Sequence, residues 1–395
     1  MWKTVKLGDI CHKITDGSHN PPKGVEFSEY LMLSSKNIYN GYITYEKPRY
    51  LAKIDFQNEN KRTDIQIGDV LLTIVGTIGR CAVFEGKEEV FTLQRSVAVL
   101  KPKQDLVLPN FLMLALQNML EILNDGARGV AQKGIYLKSL KNLTISLPPL
   151  AEQQRIVAKL DAAFAEIDKS VSTIENKSTH VRTLFSKVLS DSIGKQSPNT
   201  KTLALKEVAK FLDYRGKTPS KSTSGTKLLT AKNVRMGYIK QKPEEFVSEK
   251  EYERHMVRGF PNAGDVVFTT EAPLGLVAQI VDDDVALGQR LITFQITNNV
   301  MRNEFLKYLL MSNAYQSEIL KKGTGATVKG IKASLLKEIS LSFPASLEEQ
   351  DSRISKIEVA EEKCNEIELL CINQLEQYKF LKSAILAQEL KGETA

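Results

Sequence analysis

The chain repeats itself. Residues 33–43 read LSSKNIYNGYI and residues 229–239 read LTAKNVRMGYI, one copy about 196 residues after the other. GDVLLT at 68–73 returns as GDVVFT at 264–269, and GVAQKGI at 129–135 as GATVKGI at 325–331. Gly79 and Gly275 keep the same offset, and Leu140-Lys141 answer Leu336-Lys337. Gln94-Arg95 match Gln289-Arg290 after a slip of one residue. Each copy is followed by a long segment with a heptad pattern. A duplicated unit that ends in a rod restricts the fold to two similar heads, each with its own core, joined through helices. Two heads at a fixed separation suggest a ruler.

Each copy mixes short strands with a few helices. Residues 70–75 (VLLTIV), 97–100 and 291–296 are apolar, β-branched runs between turn residues and are expected to be strands. Residues 109–124 are expected to be a helix with Pro109 near its start, and residues 303–320 repeat it, Phe305-Leu306 answering Phe111-Leu112. A last strand at 143–147 stops at Pro148-Pro149, and its partner at 339–343 stops at Pro344. Proline cannot donate into a ladder, so it ends the strand.

After each proline comes a rod. Val157, Leu160, Phe164, Ile167, Val171, Ile174, Val181, Phe185 and Val188 alternate at spacings of three and four, with Ser178 the one polar member. That is the seam of a coiled coil. In the second rod Ile357, Cys364, Cys371, Tyr378 and Ile385 recur every seven residues, and Ala360, Ile367 and Leu381 fill intervening positions. The seams are similar in length, so pairing with each other, antiparallel, is the simplest arrangement. A rod of about 35–40 residues spans roughly 55 Å. The expected organisation is a head at 1–150, a helix at 151–190, a Gly/Ser/Pro/Asn linker at 191–201, a second head at 202–346 and a second helix at 347–391. The fold class is α+β, two similar domains joined by a two-helix antiparallel coiled coil with pseudo-twofold symmetry.

At 395 residues the chain can bury more than one core. No apolar run approaches the roughly 18 residues of a membrane helix, and MWKTVKLGD lacks a secretory signal's apolar region. Cys11, Cys81, Cys364 and Cys371 have neither disulfide-framework nor zinc-finger spacing, which fits a reduced cytoplasm. The net charge of +7 is unevenly placed. Residues 198–346 carry 22 basic and 15 acidic groups, residues 1–150 carry 19 and 15, and residues 347–395 carry 6 and 11. The positive excess sits on the heads, so a polyanion is the expected partner of both.

The string LPPLAEQQRIVAKLDAAFAEID at 147–168, its weaker echo FPASLEEQDSRISKIE at 343–358 and LKSAILAQELKGE at 381–393 are similar to the specificity subunit of type I restriction–modification enzymes. The echo has Asp351-Ser352 where the first copy has Gln154-Arg155. TDGSHNPPKG at 15–24 resembles one common type of target recognition domain in such subunits. The resemblance implies that each head reads one half of a split site on double-stranded DNA. It implies that the helices set the unread spacer and dock two methyltransferase subunits, with restriction/translocase subunits joining later. It implies no catalysis by this chain; the residues themselves show neither a glycine-rich cofactor motif after a strand nor a membrane-length apolar run, so no cofactor and no membrane are expected.

Other chemistry is poorly supported. Asn20-Pro21-Pro22-Lys23 lacks the aromatic residue that a base-flipping methyltransferase loop stacks on its target. Asp69, Glu85 and Lys87 loosely resemble a metal-dependent nuclease triad, yet the second copy keeps only Asp265. A stand-alone nuclease and a coiled-coil scaffold that binds no DNA remain the alternatives. For DNA contact, residues shared by the copies suit phosphate positioning or scaffolding: Lys36, Asn37, Arg95 and Lys133, with Lys232, Asn233, Arg290 and Lys329. Residues that differ suit base readout: His19, Asn20, Lys23 and Tyr39 in the first head, and Tyr214, Arg215, Lys217 and Arg235 in the second.

Overall fold

The computed structural model describes residues 2–86, 90–127, 134–216, 218–325 and 329–391. It divides into two units, residues 1–174 with 373–395 and residues 175–372. Both are α+β.

In the first unit the fully buried strand Val70–Thr73 lies between Val97–Pro102 and Cys81–Val83, and Cys11–Asp16 completes an antiparallel sheet of four. Val70, Leu71 and Leu72 put apolar side chains on both faces of the central strand, with buried Thr73 at its end, as burial on both sides demands. A smaller mixed sheet pairs Tyr30–Leu33 parallel with Val90–Leu93 and antiparallel with Arg49–Tyr50. Lys3–Lys6 pairs with Thr144–Leu147, after which Pro148 and Pro149 turn the chain into the first long helix.

The second unit repeats each of these pairings. Val266–Thr269 lies between Leu291–Ile296 and Val277–Gln279, with Ala209–Asp213 at the edge. Thr226–Leu229 pairs parallel with Ala286–Leu287 and antiparallel with Phe246–Val247. Thr200–Ala204 pairs with Ser340–Pro344. Gly79 and Gly275 recur because both hold a positive φ, +90° and +93°, where their N–H groups close a turn onto Thr73 and Thr269 at 2.9 Å.

The register corrects one alignment. Thr73 faces Val97 and Thr269 faces Leu291, so Arg290 occupies the place of Ser96, and Gln289 that of Arg95. The matching Gln-Arg pairs are therefore not equivalent in the fold.

Two expected helices are broken. The first is Pro109–Asn118 followed by Leu120–Asp125, and the second is Asn303–Met311 followed by Asn313–Lys322. Met119 leaves helical geometry at ψ 16°, and Ser312 is extended at ψ 149°. The strong apolar periodicity conceals such a break because the pieces bury the same kinds of side chain.

The long helices are Leu150–Gly194 and Leu347–Leu390. The first continues through Gly194 and the next strand begins at Thr200. Each helix contributes one end to each unit's core. In the first unit Lys159 meets Glu389 at 2.7 Å and Asp168 meets Lys382, so the segments run antiparallel. In the second, Arg182 meets Glu368 at 2.7 Å and Arg353 donates to Ser192 O at 3.1 Å, again antiparallel.

Burial follows the three-and-four spacing in the middle of the first helix and shifts at its ends. Leu160, Ile167, Ile174 and Val181 are buried, with Phe164, Val171 and Phe185 half-buried. Near the ends Gln153, Ile156, Leu189 and Ile193 are buried, while Val157 and Val188 are half-buried. On the second helix Ile357 and Cys371 are buried, and Cys364, Ile367, Tyr378 and Ile385 are half-buried. Leu381 is exposed and Leu386 is buried instead. An undistorted helix slips about 20° per heptad against a strict seven-residue repeat. The ends also insert into a head's core, where neighbours lie on more than one side.

The cysteines fit their surroundings as apolar groups. Burial pushes the thiols of Cys11 and Cys81 up to about 12. Iodoacetamide at neutral pH should label neither in the native protein and both after denaturation, since the thiolate is the nucleophile. Rapid native labelling of Cys81, followed by mass spectrometry, would contradict this burial.

Candidate nucleic-acid interface

Backbone hydrogen bonds gather several loops beside the central strand of each head. In the first, Ile74 N donates to Ser96 O and Ile135 N donates to Ile74 O, both at 2.9 Å, while Val75 bridges Gly134. Ser35 N donates to Ser96 Oγ at 3.0 Å, and Arg95 N donates to Ser18 O at 2.8 Å. Segments 16–19, 34–36, 74–76, 94–96 and 134–135 thus come together. In the second, Thr270 N donates to Arg290 O and Ile331 N to Thr270 O, both at 2.9 Å, and Glu271 bridges Gly330. Gly288 N donates to Leu229 O as Gln94 N does to Leu33 O.

The clusters carry charged side chains on a rigid base. In the first head, His19 Nε2 lies 2.8 Å from Asp16 Oδ2, and Arg62 Nε donates to Asp16 O at 2.9 Å. Arg95 and Lys36 are exposed. In the second head, Arg215 forms a bidentate pair with Asp213 at 2.8 and 2.6 Å, and Arg258 donates to Asp213 O. Burial raises the Asp213 carboxyl, but the Arg215 hydrogen bonds outweigh it and hold the group below the usual carboxylate range. Arg290 Nε lies 3.1 Å from Glu271. Arg215, Thr270, Glu271, Gln289, Arg290 and Lys332 line a groove of about 400 Å³. Guanidinium forks suit phosphate oxygens and guanine edges, and a carboxylate suits an amino donor.

The remaining candidates separate into surface and scaffold. Asn37 and Asn233 are buried: Oδ1 accepts from Ser34 N or Thr230 N, and Nδ2 donates to Thr44 and Glu46 O or to Lys240 and Pro243 O. Each therefore pins its loop from within. Lys232 is exposed, 3.7 Å from Glu245, and Lys329 is exposed beside Gly330. Asn20 and Lys23 are exposed on the loop after His19. Tyr39 stacks on Tyr42 at 4.9 Å with the Arg80 guanidinium 5.0 Å from its ring. Arg235 donates to Lys232 O and Val234 O. Lys133 and Lys217 lie outside the described residues, as does Lys87.

Tyr214 requires correction as a base-reading candidate. It is fully buried, its hydroxyl donating to Gly259 O at 2.7 Å and accepting from Arg258 N at 2.8 Å, so its ring cannot reach DNA from that position. Asp69 is also internal: its carboxylate accepts from Gln66 N at 2.8 Å and Lys101 Nζ at 2.5 Å. Asp265 does the same with Asn262 N at 2.8 Å and Gln295 Nε2 at 2.7 Å. Both aspartates cap the turn before the central strand, which accounts for their repetition without nuclease chemistry. Among the described residues, no cluster of three His, Cys, Asp or Glu side chains could hold a metal ion.

Two repeated features escaped the sequence reading. Arg62 and Arg258 each donate to the backbone oxygen of the aspartate that ends the edge strand. Gln153 and Gln350 are fully buried at the starts of the long helices. Gln153 accepts from Leu108 N and donates to Leu106 O and Pro148 O, at 2.8–2.9 Å. Gln350 accepts from Arg302 N and donates to Val300 O and Pro344 O, at 2.9–3.1 Å. The signal was available, because the same residue type follows the strand-ending proline in both copies.

The model of the type I restriction modification DNA specificity domain matches the chain twice, over residues 1–177 and 199–377, and the chain belongs to that family. The MjaVIII specificity subunit of Methanocaldococcus jannaschii is 25% identical over 383 residues, covering 90% of this chain and 85% of that protein. The EcoBI specificity subunit of Escherichia coli is 29% identical over 183 residues, 46% of this chain, and the match takes in 37% of that protein. A chain from a solved structure described as the basis of complex assembly and conformational transition of the type I R-M system superposes with TM-score 0.74. It is 19% identical, over 99% of this chain and 98% of that one. The HsdS subunit from Thermoanaerobacter tengcongensis gives TM-score 0.50 at 18% identity, over 99% and 97% of the two chains. At these identities the structural likeness speaks to the fold.

Proposed function

We propose that this chain is the DNA-reading subunit of a type I restriction–modification assembly. Each head binds one half of a bipartite duplex site, and the long helices set the spacer and dock two methyltransferase subunits. Restriction/translocase subunits join that core, and the assembly works in the cytoplasm, where its DNA is. The chain supplies specificity and leaves the chemistry to its partners. The observation that carries this reading is the double match to a DNA specificity domain. The two matched copies share every strand pairing described above yet present different side chains on the same loops. A common scaffold with divergent loops is what two readers of two different half-sites require. The positive excess on both heads supplies a sequence-independent attraction to phosphate.

The test is a head exchange. Replacing residues 1–145 by the first head of another specificity subunit, in a chain assembled with its methyltransferase subunits, should change one half of the methylated site and preserve the other. Genome-wide mapping of modified adenines reads the result. Simultaneous change of both halves would refute independent heads.

A further inference from the structure

Glu271 and Arg290 stand side by side in the second head's groove, 3.1 Å apart, with side chains 47% and 46% exposed. Their backbone places are fixed. Thr270 is held between Arg290 O and Ile331 N, and Glu271 bridges Gly330. The first head builds the same frame, with Ile74 held between Ser96 O and Ile135 N and Val75 bridging Gly134. At one backbone position the heads therefore offer a carboxylate or an isopropyl group. At its neighbour they offer a guanidinium or a hydroxymethyl group.

The scaffold does not require this difference. The three backbone contacts just named recur in both heads, although Arg290 holds a positive φ of 73° that Ser96 does not, and Val75 and Glu271 are each half-buried. An ion pair this exposed contributes little to folding. The pair instead has a definite recognition chemistry. A carboxylate only accepts hydrogen bonds and a guanidinium only donates them. In the major groove a G·C pair presents the N4 amino donor of cytosine beside the O6 and N7 acceptors of guanine.

We propose that Glu271 and Arg290 together read one G·C base pair in the half-site of the second head, Glu271 accepting from cytosine N4 and Arg290 donating to guanine O6 and N7. Val75 and Ser96 leave the first head without this preference at the corresponding position. The assignment rests on the bipartite DNA-reading function proposed above and names one of its specificity determinants.

The experiment selects bound sequences from a randomised duplex pool, using the full chain assembled with its methyltransferase subunits. The wild-type assembly should select a bipartite motif with a G·C pair fixed in the second half-site. Glu271→Gln gains an amide donor and should relax that one position by about tenfold. Arg290→Ala should relax the same position. The first half-site, read in the same selected molecules, should be unchanged, which shows that the variant folds and binds. If the wild type selects a bipartite motif and both variants retain every preference in its second half, the assignment fails while the bipartite reading stands. A wild-type assembly that selects no motif removes both.

Discussion

Replacing Gln153 or Gln350 with alanine should destabilise the unit concerned by about 3–5 kcal/mol. Each side chain is fully buried and satisfies one backbone N–H and two carbonyl oxygens where a long helix leaves its head. Alanine leaves those groups buried without a partner, and each such group costs about 1–3 kcal/mol. The carbonyls have a second lone pair and lose less than the N–H does. In a unit of this size, about 1 kcal/mol corresponds to roughly 2–4 °C, so melting of the affected unit should fall by about 10 °C. Glutamate would be no better, because it loses the amide donors and places a buried charge against carbonyl oxygens. Differential scanning calorimetry of both single variants provides the measurement. A shift below about 2 °C in both would mean that these glutamines do not anchor the helices.

The glutamines carry a role that the sequence pattern does not disclose. The duplication was legible because two copies of one core need the same residues at the same offsets. GDVLLT and GDVVFT are each a buried central strand entered through an aspartate-capped turn. The heptad seams were legible for a similar reason, since burial every seven residues leaves a mark that needs no partner to be seen. Side chains whose role is a distant hydrogen bond leave no periodicity. Gln153 meets Leu106 and Leu108 across more than forty positions, and Arg62 meets Asp16 across forty-six. The loops resisted most. The repeated Gln-Arg pair suggests an alignment that the strand register overrules, since Arg290 holds the position in the second head that Ser96 holds in the first. Tyr214 differs between the copies, which suggests base contact, yet its difference belongs to the core. Variation between the heads marks readout only where the varying side chain is also exposed.

Ile357→Ala should cost about 2–5 kcal/mol, while Leu381→Ala should cost less than about 0.5 kcal/mol. The heptad pattern alone places both residues in the seam and expects similar losses. In the fold they differ. Ile357 is fully buried within the second unit's core, where it clusters with Leu189, Ile193 and Ile354. Leu381 is 44% exposed, and the buried contact at that end of the helix comes from Leu386. Truncating Ile357 removes apolar contacts and leaves a cavity that close-packed neighbours fill only in part. Truncating Leu381 removes a side chain that is 44% exposed and leaves no closed cavity, so much less free energy is lost. Leu386→Ala is the matching control and should behave like Ile357→Ala, because Leu386 packs in the core that holds Ile156 and Leu160. Denaturant titrations of the three variants decide the matter. Equal losses for Leu381 and Leu386 would mean that the strict heptad, and not the drifting seam, describes how this helix is buried.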